Sequence, residues 1–113
     1  MKKILLLCVS ILLVTIITGC ATQKKRKAEL DSIMNSWTGY HISAVIQKWG
    51  PETKITGDGK GGNIYTWEKT WQTNAYYDYN KVYQPPQNRY CNKNFYVNKE
   101  GIVYAWRYDG YCY

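Results

Sequence analysis

The sequence predicts an α+β domain in which two short N-terminal helices pack on a three-stranded antiparallel sheet, giving two layers. Three observations carry this prediction. Apolar side chains recur at helical spacing between Leu30 and Trp49. After Asn63 the pattern changes to alternation of every second residue, rich in tyrosine, tryptophan and threonine. Glycine and proline stand between these runs and end one kind of element before the next begins.

The first helix is expected from Lys27, with Leu30, Ile33, Met34 and Trp37 at i, i+3, i+4 and i+7 forming one apolar stripe, and Gly39 as its stop. The second lies in "HISAVIQKWGPE", where Ser43 is placed to accept a hydrogen bond from a free amide at the start. Val45, Ile46 and Trp49 share one side, and Gly50-Pro51 ends the helix because proline cannot continue it.

Residues 56–63, "TGDGKGGN", read as a hairpin or connecting loop. A phosphate loop of the Walker type needs Gly-Lys-Ser/Thr ahead of a helix, and here Gly-Gly-Asn leads into a β-rich run. In "NIYTWEKTWQT", Tyr65, Trp67 and Trp71 alternate against Thr66, Glu68 and Thr70, and Lys69 interrupts the aromatic face. "RYCNKNFYVN" puts Cys91, Phe95 and Val97 on one side, and "GIVYAWRY" follows a tight turn at Gly101, giving three strands. Residues 74–88 form a connection longer than an ordinary hairpin loop, which marks it as functional or mobile, and Pro85-Pro86 excludes a regular central strand there.

The N-terminus raises a separate question. Met1-Lys2-Lys3 precedes an apolar run from Ile4 to Ile17, shorter than the ~20 residues needed to cross a bilayer and suited to a secretory signal. Ile17-Thr18-Gly19-Cys20 resembles the lipobox of bacterial lipoproteins. That resemblance implies that residues 1–19 are cleaved as a signal peptide, and that Cys20 is lipidated and anchors the chain to the membrane. Ala21 after the cysteine then implies sorting to the outer membrane, facing the periplasm. The expected organisation is a signal at 1–19, a lipidated cysteine and basic tether at 20–28, and a small globular domain at 29–113.

With Cys8 removed in the signal and Cys20 acylated, Cys91 and Cys112 remain, and two thiols outside the cytoplasm read as one disulfide. A metal site is not expected, because two cysteines and the single His41 do not complete a zinc ligand set. No cofactor is expected either. The whole chain carries a formal charge of +7, but residues 29–113 hold 9 basic against 8 acidic side chains. The excess therefore lies beside the membrane, where basic residues meet anionic lipid or serve as a solvated spacer, and a nucleic-acid partner is excluded.

The segment "SWTGYHISAVIQKWGPE", the Gly-Gly and aromatic run at 61–67, and a tail of Cys91, Phe95, Val97, Gly101, Ile102, Val103, Trp106 and Cys112 together resemble a group of small bacterial lipoproteins. More distantly, a helix ending in Gly-Pro before a meander is similar to the SmpA/OmlA (BamE-like) outer-membrane lipoproteins, a resemblance that implies a two-layer fold of two helices on a sheet. An enzyme is not expected: the chain has one histidine, no Gly-x-Ser-x-Gly and no paired-carboxylate motif. Tyr76, Tyr77, Tyr79, Tyr83 and Tyr90 lie in or beside the long connection, and tyrosine supplies rigid contact area with a hydroxyl at modest entropic cost. Those five are the candidate contact residues for a protein partner in the cell envelope. The alternative is an inhibitor or exclusion lipoprotein that blocks a lysozyme or a phage receptor.

Overall fold

The computed structural model describes residues 22–113. Among them are helices α1 (22–36) and α2 (Ile42–Trp49) and strands β1 (Lys54–Gly57), β2 (Asn63–Gln72), β3 (Tyr76–Tyr77), β4 (Tyr83–Gln84), β5 (Asn88–Val97) and β6 (Val103–Gly110). The α+β class is as the sequence predicts. The main sheet, however, has four antiparallel strands in the order β1-β2-β5-β6, and β3 and β4 form a separate two-stranded sheet. The expected count of three strands is thus corrected to four.

The chain divides into two compact units, one reaching to Ile33 and including Tyr113, the other running from Met34 to Cys112. In the first, the helix is already formed at residue 22, ahead of the expected start at Lys27. Lysine and arginine are good helix formers, and Lys27 pairs with Asp31 at 2.9 Å one turn on, so the basic run does not oppose the helix. Leu30 is buried, whereas Ile33 is 49% exposed and does not belong to the apolar stripe that spacing assigned it.

In the second unit, α1 closes through short i→i+3 bonds: Trp37 N–H to Met34 O, Thr38 N–H to Asn35 O and Tyr40 N–H to Trp37 O. Gly39 turns the chain with φ +92°, and its amide donates to Val103 O at 2.8 Å. The stop at Gly39 stands, but Trp37 sits in the closing turn and not on the helix.

α2 begins two residues earlier than its expected cap implies. His41 is the N-cap: its Nδ1 accepts from the Ser43 amide at 3.1 Å and from Ser43 Oγ at 2.8 Å. Ser43 is therefore helical. The cause is tertiary, because the Ile42 amide donates to Gly101 O and the Ile42 side chain is buried, which fixes the first helical residue at 42.

The core of this unit consists of Met34, Ile42, Val45, Cys91, Phe95, Val97 and Val103. α2 lies on the sheet through Trp49, whose ring stands 5.3 Å from Phe95 and 5.6 Å from Trp67. Trp67 Nε1–H donates to Gly50 O at 3.1 Å, so β2 caps one of the carbonyls at the helix end. On the opposite face of β2, Thr66 is buried although polar. Its hydroxyl donates to Asn94 Oδ1 at 2.7 Å, which removes the cost of burial.

Three turns share one device. Asp58 accepts from the amides of Lys60 and Gly62, Asp78 from those of Asn80 and Val82, and Asn98 from those of Glu100 and Ile102. In each case one side-chain oxygen takes the amides two and four residues on, as in an Asx turn. "TGDGKGGN" is accordingly the β1–β2 hairpin turn. Asp58 Oδ2 also accepts from Tyr104 Oη at 3.0 Å, which ties this turn to β6.

Candidate functional site

The long connection contains a structured tyrosine hairpin. Tyr76 pairs with Gln84 and Tyr77 with Tyr83, and the turn is closed by Asp78, whose second oxygen accepts from Gln84 Nε2 at 3.2 Å. The Tyr77 and Tyr83 rings meet edge to face at 5.5 Å. Tyr76, Tyr77 and Tyr83 are each more than half exposed, and Tyr79 at the tip is 95% exposed. Four of the five expected contact tyrosines are thus brought together. Tyr90 is not with them: it stands on β5, where a Cβ added to Gly110 would approach its ring carbons to 2.9 Å.

Cys91 and Cys112 form the expected disulfide, with Cα atoms 5.0 Å apart. Cys20 and the expected signal at 1–19 lie outside the described residues. Among the described residues no helix is long and apolar enough to cross a membrane. No group of three or more His, Cys, Asp or Glu side chains among them is placed to hold a metal ion.

A second surface was not foreseen from the sequence. β2 and β5 are each 10 residues long, about 33 Å at strand rise, whereas α2 has 8 residues and spans about 12 Å. Beyond Trp49 the same sheet face opens into a groove of about 780 Å³, lined by Trp49, Trp67, Trp71, Tyr111, Lys69 and Lys93 and floored by the disulfide. Cross-strand register pairs Trp67 with Lys93, Lys69 with Cys91 and Trp71 with Arg89. Indoles and cations therefore form a checkerboard. The Lys93 ammonium lies 5.4 Å from the Trp49 ring centre, and the Arg89 guanidinium lies 4.3 Å from that of Tyr111, both within cation–π range.

The sequence signal for this groove is Lys69. Two lysines, Lys69 and Lys93, occupy alternating positions that otherwise carry core aromatics, and a cation there is tolerated only where that face is open to water. Electrostatically the face is one-sided. The acidic residues of β2 and β6, Glu68 and Asp109, alternate onto the opposite side of the sheet, although Glu68 reaches the groove rim. Comparison with family models, curated proteins and solved structures finds no match to this chain.

Proposed function

We propose that the protein is a lipid-anchored, non-enzymatic binding module of the bacterial cell envelope. Acyl chains on Cys20 hold it in the outer membrane facing the periplasm, and the tyrosine hairpin holds a protein partner there. The single observation that supports the reading is the hairpin itself. Four tyrosines stand exposed on a segment whose backbone is fixed by Asp78, so binding them orders little further chain. Rings so placed offer contact area without a core to fill. Kinship with the SmpA/OmlA (BamE-like) lipoproteins belongs to the same proposal: helices precede an antiparallel meander in the same order, with β1 as an added strand.

Two measurements test it separately. Mass spectrometry of the mature chain is expected to find the acyl mass on Cys20 and to lose it in Cys20→Ser, with the protein leaving the membrane fraction; an unmodified Cys20 on the mature chain refutes the anchor. Cross-linking in cells is expected to join the protein to an envelope protein, and Tyr77→Ser/Tyr79→Ser/Tyr83→Ser is expected to abolish that product. An unchanged product in the triple variant refutes the hairpin as the contact surface.

A further inference from the structure

The groove adjoins an unfinished sheet edge. β1 pairs with β2 only from Asn63 to Thr66, and Thr53 extends the contact by one step, its amide donating to Thr66 O and its hydroxyl accepting from the Glu68 amide. Past that point no strand among the described residues lies on this side of β2. Because antiparallel residues alternate in the direction of their hydrogen bonds, Thr70 and Gln72 point their amides and carbonyls the same way as Thr66 and Glu68, toward the open side. Glu68, Lys69 and Thr70 are all exposed.

The side chains beside this edge are the groove's own. Trp67, Lys69 and Trp71 share one face at a spacing of about 7 Å, with Lys93 and Arg89 one strand further in. Lysine on an exposed edge serves by itself to discourage association. That explains Lys69 alone. It does not explain Lys93 and Arg89, which stand on an interior strand that needs no such guard. No ion pair to Lys69, Lys93 or Arg89 forms among the described residues. Like charges set diagonally across neighbouring strands repel, and an anion brought between them relieves that repulsion.

We propose that this edge and groove together form a docking site for an extended acidic segment of another protein, added to the sheet as a strand beside β2. Its backbone pairs with Thr70, and its alternate side chains face the groove. Thr53 already holds the place opposite Trp67, and the positions opposite Lys69 and Trp71 are the free non-hydrogen-bonded pairs of an antiparallel ladder, where side chains approach most closely. The pattern that fits is an acidic residue opposite Lys69 and an apolar one opposite Trp71, two residues apart. Main-chain bonds supply affinity and the alternate side chains supply choice, as in other strand-addition complexes. A second copy of this chain fits poorly, since it would bring a further Lys69, Lys93 and Arg89 against the first set. The site is independent of the tyrosine hairpin and of the lipid anchor.

The test uses the full chain in detergent and a fluorescent, end-blocked peptide whose last three residues are Val-Thr-Glu, set opposite Trp71, Thr70 and Lys69, followed by anisotropy. Binding is expected, and Lys69→Glu is expected to weaken it by roughly tenfold or more. A peptide carrying Lys in place of Glu should bind the wild type at least that much more weakly. Methylating the peptide amide that faces Thr70 should also abolish binding, an effect that charge attraction alone does not produce. Tyr77→Ser/Tyr79→Ser/Tyr83→Ser should bind the peptide as the wild type does. Circular dichroism and melting of each variant establish that it is folded, and Trp71→Ala gives a second, uncharged substitution expected to lose binding. The proposal is overturned if the acidic peptide does not bind, or if Lys69→Glu or amide methylation leaves affinity unchanged. It is overturned in favour of another occupant if sedimentation finds a dimer that Lys69→Glu dissolves, or if an acidic polysaccharide displaces the peptide while amide methylation has no effect.

Discussion

At the scale of single residues, two polar contacts hold the second unit in register. The Asp58 carboxyl is held below its ordinary range, first by the Lys60 amide; desolvation opposes this more than any one of the remaining contributions, the Gly62 amide, the Tyr104 hydroxyl and the Lys60 charge, which add to the lowering. A carboxyl lowered in the folded state contributes stability that is present above its unfolded value and is lost as pH falls through its folded value. Asp58→Asn should therefore flatten the decline of melting temperature on the acid side of the ordinary aspartate range, which a pH series of thermal melts checks; an unchanged slope removes Asp58 from the acid response. The same bond raises the Tyr104 phenol, whose contribution is lost at the alkaline end as pH rises through its folded value. The second contact is Trp67 Nε1–H to Gly50 O. Trp67→Phe keeps a ring but leaves that part-buried carbonyl without its donor, an expected loss of about 1–2 kcal/mol in chemical denaturation. At this scale the sequence is an uneven guide. Gly39 declared its role because few other residues adopt its φ, but serine outranks histidine as a helix cap in every local preference. Only the Ile42–Gly101 bond, made across the fold, moves the helix start to put His41 in that place.

At the scale of elements, periodicity revealed what has one buried and one wet face and missed what does not. β2 and β5 alternate visibly because one of their faces carries α2 and the core. β1, Lys-Ile-Thr-Gly, is exposed at all four residues, so no alternation marks it, and it is a strand only because β2 offers it a partner. The tyrosine hairpin was legible as a connection too long to be idle, but its strands are two residues each and are held by Asp78, not by burial. This makes it separable from the rest. Asp78→Ala removes the acceptor of the Asn80 and Val82 amides and of the Gln84 side chain. Hydrogen exchange should then lose protection at Asn80 and Val82 while the β2–β5 ladder keeps its own, and the melting temperature should hardly move. Loss of protection in β5 as well would show that the hairpin is integral to the main sheet. The groove lies between these cases. Lys69 was visible as an interruption of an aromatic face, but that Lys93 and Arg89 join it depends on register, which pairs Trp67 with Lys93 and Trp71 with Arg89.

At the scale of the whole molecule, the second unit is small, and its core is limited to a few fully buried side chains around Phe95, Met34 and Val45. A domain of this size sits where apolar burial alone leaves little margin, and covalent closure then has a large relative effect. The β5–β6 hairpin is turned at one end by Asn98, and at the other end Cys91 stands opposite Gly110, two residues before Cys112. The disulfide, with a sequence separation of 21, shuts the open end of the hairpin that supplies Phe95, Val97 and Val103 to the core. By the chain-entropy estimate a loop of that length destabilises the unfolded chain by about 3 kcal/mol. For a domain of fewer than a hundred residues this corresponds to a drop of roughly 10–25 °C in melting temperature when the bond is absent. Cys91→Ser/Cys112→Ser, and the wild type in reducing buffer, should both melt lower by that amount and by the same amount as each other. If reduction lowers the melting point and the double variant does not, the effect belongs to the free thiols. If neither moves it, the ring cluster of Trp49, Trp67 and the buried Phe95 holds the sheet without the bond, and the disulfide serves only as the floor of the groove.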